Sequence, residues 1–521
     1  MTVPGQRETA TEYEGGNHSN YIIWNINSNY KRDEKVYTYD EAIDLAGNGW
    51  YIFSLLGLLL LAYEGMALDM FGFAVVVSAA CDLELTHYQK TILLSMPYLG
   101  SIVMAYPWGY IADTQGRLKA LTFSLLGSFI FATASVFSPN WIVLAVLKFG
   151  STSFCSGIQS LGITLLGESC SQKLKGPFVI AIACSLLSVF AVYSALGYFV
   201  LKIQFAFDLG FIVFTPWRLL ALVLAVPLGV SLVLSTFYFE SPKFLLNTGN
   251  EEQALKILKN ICRRNGGDAK KYPVKQVKLN ETTCPKEKEV SFLQSLKDQT
   301  LPLFKSPLLD RTLKLFYITA AIYALNNGFF SWIPFVVDSF YTNYDTNSTS
   351  DNMCDMIVNS NKLDDTQDDC VGTVRYTTIW VSIIQGALYT LLSIIPIIFS
   401  NRRKIIMMVI LTSTFCCGVL LPLVSGRLLA IALFYGFLAN GLSISIVFSF
   451  YVDLFPTSYR GMAACLGVMV ARLSGLIGTN LVGTFLSSHC ANSFYSWAVY
   501  SLSGAVVAWF LPSVNPKKDT A

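Results

Sequence analysis

Charge is what this chain lacks. Only 14% of its 521 residues are Asp, Glu, Lys or Arg, where a water-soluble chain carries about 25%. A mean hydropathy of +0.50 joins that shortage to recurrent apolar blocks, which excludes a solvated globular domain and makes the lipid bilayer the expected surroundings. The formal charge of +3 is too small for a nucleic-acid partner. Histidine is nearly absent (His18, His87 and His489), and the 12 cysteines form no CxxC spacing and no Cys/His cluster. A metal centre is therefore not expected. HExxH, GxSxG, GxxxxGK[ST] and GxGxxG are all missing. Hydrolysis, ATP-driven work and dinucleotide chemistry lose their usual scaffolds, so neither an enzyme nor a cofactor is expected. The first 48 residues are polar and lack the basic and apolar regions of a cleavable signal. The first apolar block is expected to act as its own insertion signal.

What the chain does have is apolar blocks of spanning length. About 20 apolar residues cross a hydrocarbon core, and blocks of that order fall at 50–70, 91–112, 118–138, 141–166, 178–201, 217–239, 313–336, 377–399, 405–424, 428–450, 462–486 and 494–512. They predict an all-α membrane protein of twelve transmembrane helices in two six-helix halves. The expected divisions are an N-terminal segment over 1–48, a first half over 49–239, a central loop over 240–312, a second half over 313–512 and a tail over 513–521.

Basic residues concentrate in alternate loops. One set holds Arg117, Lys119, Lys173, Lys175, 14 bases between Lys243 and Arg311, then Arg402, Arg403, Lys404, Arg460, Lys517 and Lys518. The other holds Lys90, Lys202, Arg218, Lys362, Arg375 and Arg427. The positive-inside bias puts both termini and the central loop in the cytoplasm, in a plasma or intracellular vesicle membrane. The opposite side then carries the sequon at Asn347, a glycosylation candidate, with Cys354 and Cys370 as a disulfide candidate. Within the central loop, EEQALKILKNICRR spaces its apolar residues as an amphipathic helix expected at the membrane face. Residues 265–290 read as a solvated, partly disordered connector.

The halves echo each other. ESCSQKLKG after block four and DLFPTSYRG after block ten both run from a carboxylate (Glu168, Asp453) to a base (Lys175, Arg460) and a glycine. Halves related by an axis along the membrane normal predict a carrier with solute at the midplane.

At this point the residues resemble a known group. WGYIADTQGRLK is similar to the signature after the second helix of the major facilitator superfamily. Trp217-Arg218 and ESPKFLL (Glu240–Leu246) resemble signatures bracketing helix six of sugar porters, and YVDLFPTSYRGMA resembles the motif after helix ten. TYDEAIDLAGNGWY, Thr38–Tyr51, is similar to the lead into helix one of synaptic vesicle glycoproteins and related transporters. The resemblance covers about Thr38 to Leu511 and points to the cluster of sugar porters, organic-ion transporters and synaptic vesicle glycoproteins, most like the insect-type relatives. It implies the major facilitator fold and secondary transport of a small organic solute (anion, zwitterion or sugar-like) by alternating access. The alternative is a non-transporting, vesicle-glycoprotein-like protein acting through partners or trafficking. Departures include Leu118 for a base, Asp453 for Glu, and Lys148 where many proton-coupled relatives carry arginine. Thr152, Phe154 and Ser156 replace the glycines behind Lys148, which speaks against proton coupling through that helix.

Ionisable residues inside spans cost roughly 2.5–3.5 kcal/mol each and are functional hypotheses by default. Glu64 and Asp69 in the first span lie about 140° apart around a helix. Glu64 is expected to line the cavity and hold a cation or the coupling proton, while hydration near the span end is the plain alternative for Asp69. Arg472 has two readings: a structural pair with an acid such as Glu64, or a ligand for an anionic solute, which the resemblance to organic-ion carriers favours. Asn326 and Asn327 offer amides to a solute or to a neighbouring helix; Gln159 and Gln385 are weaker candidates. The resemblance implies a cytoplasmic latch of Gly109, Asp113, Gly116, Arg117, Glu168, Lys175, Glu240, Asp453 and Arg460. In it Gly109 permits close helix packing and Gly116 a tight turn. Arg218 belongs to the motif at the non-cytoplasmic end.

Overall fold

The computed structural model describes residues 36–278, 300–342, 352–355, 357, 376–395, 402–455, 457–486 and 488–512. Each apolar block coincides with a helix. Trp50–Phe71 (α2) runs on through Phe73–Ala79 (α3), followed by His87–Gln115 (α4), Arg117–Ser135 (α5), Trp141–Ser169 (α6), Gln172–Leu201 (α7) and Pro216–Ser235 (α8). The second half comprises Leu309–Thr342 (α11), Tyr376–Leu392 (α12), Arg403–Leu420 (α13), the pair Arg427–Leu438 (α14) and Ser443–Leu454 (α15), Thr457–Phe485 (α16) and Cys490–Trp509 (α17). Seven helical stretches among the described residues are long and apolar enough by themselves to cross a membrane.

Local chemistry sets the ends. Thr86 caps α4 through a capping box with Gln89, and Asn140 caps α6 by accepting from the Val143 amide. Between α14 and α15 the chain tightens into a 3₁₀ turn at Ala439–Leu442, which exposes the Asn440 amide to the interior of the bundle.

The halves meet along two seams, α4 against α16 and α7 against α12. At the end carrying the short hairpin of β2 (Phe207–Asp208) and β3 (Val213–Phe214), one apolar cluster joins Phe73, Tyr193 and Trp217 to Phe329, Phe434 and Phe494. At the opposite end, which carries the central connector, each half keeps its own cluster, around Tyr51, Trp108 and Leu165 in one and Leu315, Phe450 and Tyr451 in the other. Among the described residues the apolar core is shared only at the hairpin end.

Two expectations for the connector are corrected. Glu251–Arg264 (α10) is amphipathic, but its buried residues Leu258, Ile261 and Cys262 pack in the cluster that contains Tyr39, Ala42 and Ile43 of the short helix Tyr39–Leu45 (α1). A protein face, rather than the membrane, covers it. Of the expected disordered connector, residues 265–278 are folded against the first half, and 279–290 lie outside the described residues. Tyr272 donates to the Ala42 carbonyl at 2.7 Å, Asn265 to the Gly47 carbonyl at 2.6 Å, and Val277–Lys278 (β4) pairs in parallel with Tyr37–Thr38 (β1). Low hydrophobicity concealed this because the partners are backbone groups more than 200 residues away.

Candidate functional site

Among the described residues, the most deeply buried ion pair lies in the first half. Lys148 Nζ of α6 lies 2.6 Å from Asp69 Oδ1 of α2, and Ser151 donates to Asp69 Oδ2 at 2.8 Å. The ammonium also sits 4.6 Å from the centre of the Phe73 ring. Both charged side chains are almost fully buried, where the pair survives only because its polar atoms are otherwise bonded. Glu64, one turn and a half away on α2, faces elsewhere. Its Oε2 accepts from Ser188 of α7 at 3.4 Å, and its buried Oε1 has no hydrogen-bond partner. The separation around the helix therefore gives the two carboxylates separate partners, as the spacing implied.

Across the interface between the halves, Arg472 of α16 reaches into the first half. Its guanidinium donates to Gln159 Oε1 of α6 at 2.6 Å and to Met70 Sδ at 3.0 Å. The phenols of Tyr323, Tyr98 and Tyr63 are its electrostatic neighbours, and Tyr63 donates to the Gln159 carbonyl. Among the described residues no carboxylate lies within ion-pair distance of Arg472, so the expected pair with Glu64 is not formed.

The second half contributes amides with unused hydrogen-bonding capacity. Asn326 Oδ1, Asn327 Nδ2 and Asn440 Oδ1 are buried without partners, and the Gln385 amide lies beside the Tyr389 hydroxyl. Gly441 and Gly475 make the room: a Cβ on the first would meet Asn326 Oδ1 at 2.7 Å, and on the second Asn327 Nδ2 at 2.7 Å. Buried polar atoms are ordinarily paired, so this clustering marks a polar patch inside an apolar bundle.

The hairpin end is sealed between the halves. His87 of α4 bonds the Gly483 carbonyl of α16 at 2.7 Å and stacks on Trp332 of α11. Asn480 donates to Ser95 at 2.8 Å, and Phe190 stacks on Phe330 with centroids 4.1 Å apart. Arg218 is at this end. It pairs with Asp82 at 3.1 Å and donates to the Val136 and Ser138 carbonyls, tying the α3–α4 link and the end of α5 to α8. The disulfide expectation is corrected. Cys354 is bonded to Cys490 at the start of α17, and Cys81 is disulfide-bonded as well. Proximity in sequence suggested Cys370, whereas the fold brings a residue 136 positions away to 5.5 Å between Cα atoms.

At the connector end, Gly116 turns the chain between α4 and α5 at φ +111°. A side chain there would strike the Glu240 carboxylate. That carboxylate accepts from the Leu118 and Lys119 amides at 2.9 and 3.3 Å, holding the positive end of α5. Arg117 pairs with Glu168 at 3.2 Å, donates to the Ala112 carbonyl at 3.0 Å and lies over the Phe244 ring. Ser241 donates to Glu168, and Tyr39 donates to its carbonyl. Burial, then the nearby Glu168 carboxylate, pushes the Tyr39 phenol up, so it stays a neutral donor. Lys175 is exposed and forms no ion pair among the described residues. Gly109 corrects its expectation: it is exposed with open space where a Cβ would point, so no helix packs closely on it. The side chains of Asp113, Asp453 and Arg460, and residues Asn347 and Cys370, lie outside the described residues.

A family model described as Major Facilitator Superfamily matches residues 57–479. The chain belongs to that superfamily. Synaptic vesicle glycoprotein 2B of Mus musculus is 30% identical over 268 residues, 49% of this chain and 38% of that protein. Synaptic vesicle 2-related protein of Bos taurus is 25% identical over 488 residues, 91% of this chain and 80% of that protein. The chain thus spans well under half of the mouse relative. Among solved structures, the xylose transporter of E. coli in a partially occluded inward-open conformation matches with a TM-score of 0.62 at 14% identity, over 89% of this chain and 98% of that one. This likeness shows the fold.

The chain is therefore a membrane-spanning transporter-family protein, with twelve membrane-spanning helices in two halves, and not an enzyme. Sequence reading of this superfamily member named Glu64, Asp69, Gln159, Asn326, Asn327, Gln385 and Arg472 one at a time; the fold brings Arg472 to Gln159, gives Glu64 and Asp69 the separate partners Ser188 and Lys148, and sets Gln385 beside Tyr389. It missed Tyr63, Tyr98, Ser188 and Asn440, and it saw Lys148 without its partner. The signal for Asn440 was faint: a polar residue before glycine inside an apolar block.

Proposed function

We propose that this transporter carries a small organic anion or zwitterion by alternating access, with the connector end and both termini in the cytoplasm. Arg472 carries the reading. A guanidinium buried between the halves, with an amide and a thioether but no carboxylate as partners among the described residues, keeps the geometry to receive a planar anion. The Asn326, Asn327, Asn440 and Gln385 amides supply donors and acceptors for the solute's other polar groups. The neighbouring structures are named for xylose; the uncompensated cation is what favours an anionic group here over a neutral sugar. Glu64 is the coupling carboxylate of this reading, because it can exchange a proton without breaking an ion pair, whereas Asp69 cannot.

Alternating access is supported by the core shared at the hairpin end and divided at the connector end. Uptake into proteoliposomes, measured for a panel of carboxylates, zwitterions and sugars with and without an inward proton gradient, tests all of this. The expected result is gradient-driven uptake of a carboxylate that is lost in Arg472→Gln and uncoupled from the gradient in Glu64→Gln. Uptake of sugars alone, unchanged in Arg472→Gln, would overturn the substrate class. No uptake of any solute would leave partner binding or trafficking as the role.

A further inference from the structure

Between α7 and α8 the chain reads KIQFAFDLGFIVFT, Lys202–Thr215, and folds into the β2–β3 hairpin. Leu209 donates to the Ile212 carbonyl at 3.0 Å and Gly210, at φ +83°, makes the turn. Its outward side chains are the wrong kind for water. Phe207 is 63% exposed, Phe211 65%, and Ile203, Leu209 and Val213 are exposed beside them. Asp208 is the only charged residue between Lys202 and Arg218, and its carboxylate bends back to accept from the Gly210 amide at 2.8 Å. Arg218 is buried in its pair with Asp82.

We propose that this hairpin is seated in the boundary between head groups and acyl chains of the adjacent leaflet, where it forms a lipid-binding anchor for the ends of α7 and α8. The bilayer is the favoured occupant because the patch continues the lipid-facing surface. Phe199, in the last turn of α7, is as exposed as the hairpin phenylalanines, and so is much of Phe137 beyond α5. Phe137 packs on Phe214, which stacks on Phe205, which packs on Phe207. One unbroken aromatic run thus leads from the spanning helices onto the hairpin. Lys202, 5.8 Å from the Tyr198 ring, adds a cation beside an aromatic at the same level, as membrane interfaces favour. An apolar patch of this kind on a water-facing loop marks an interaction site. This one lies where the bilayer ends.

Quenching depth tests the assignment. Full-length protein carrying Phe211→Cys, labelled with an environment-sensitive fluorophore and reconstituted in phosphatidylcholine vesicles, is exposed to aqueous iodide and, separately, to lipids bearing nitroxides at head-group, shallow or deep acyl positions. Identically treated unsubstituted protein supplies the background. Shallow-acyl nitroxides are expected to quench most, placing the label about 5–10 Å into the interface, with little effect of iodide. Quenching by iodide and not by lipid would overturn the proposal. Protection from both would also overturn it, and would indicate a protein covering the patch. The same measurement at Leu209→Cys guards against a local disturbance at one position.

Discussion

The two halves share a plan and divide the chemistry. In the first, AYEGM places Glu64 before Gly65; in the second, LNNGF places Asn327 before Gly328, each in the first span of its half. One position thus carries a carboxylate in one half and an amide in the other. The first half also holds a closed pair, Asp69 with Lys148, while the second sends Arg472 across the interface between the halves with no acid beside it among the described residues. On the proposed reading, the titratable carboxylate of coupling lies in the first half and the groups of recognition in the second. The connector end differs likewise. The first half braces Gly116, Arg117, Glu168 and Glu240 together, whereas the corresponding FSNRRK segment lacks the acid and the glycine. There Lys404 instead donates to the Trp509 carbonyl at 2.8 Å, and Arg311 to the Leu454 carbonyl at 3.1 Å. These two bases cap helix ends, while Lys314 pairs with Asp310 one turn away at 2.7 Å.

Breaking the ion pair has the largest expected effect. Lys148→Ala leaves the Asp69 carboxylate buried and uncompensated, and is expected to cost about 3–5 kcal/mol of stability. Thermal unfolding in nanodiscs reads it, and Asp69→Asn/Lys148→Met together are expected to recover most of the loss. If the double variant is no better than the single, the pair is not what holds α2 to α6. Removing the cation from the recognition half comes next. Arg472→Gln is expected to weaken binding of a carboxylate substrate by about 1.5–3 kcal/mol, seen as a raised KM with fold stability kept.

The latch should respond at its turn. Gly116→Ala forces a side chain into positive φ against Glu240, at about 1–3 kcal/mol, measured by thermal unfolding. Gly109→Ala, pointing into open space, is expected to stay within about 0.5 kcal/mol of the parent. Equal losses at both glycines would contradict the geometry around Gly116. Smallest among the binding effects is Asn327→Ala, about 1 kcal/mol from one neutral hydrogen bond, read as a few-fold change in KM. A larger loss there than at Arg472 would reverse the ranking of charge over amide in the second half.

Much of the candidate site was legible residue by residue. Glu64, Asp69, Arg472 and the Asn326-Asn327 amides stood out because polar groups inside apolar blocks are costly and therefore informative. Their pairing was not legible. Lys148 looked like a weakened family position until Asp69 met it, and Arg472 seemed suited to Glu64 until it turned to Gln159. The glycines show the same limit. Gly116 was recognisable as a turn residue from its place between helices, but nothing local distinguished the open surroundings of Gly109.

The sequence by itself determined the spans, their number and the likeness of the halves. A bilayer requires about 20 contiguous apolar residues from each crossing helix, and contiguity is a property of the chain alone. Tertiary structure decided the partners. Asp69 and Lys148 are 79 residues apart, Gln159 and Arg472 are 313 apart, and Cys354 and Cys490 are 136 apart. Which charge is compensated, which amide is left open and which thiols meet depend on how α2, α6, α16 and α17 pack. Those contacts are short-ranged in space, and no spacing along the chain encodes them.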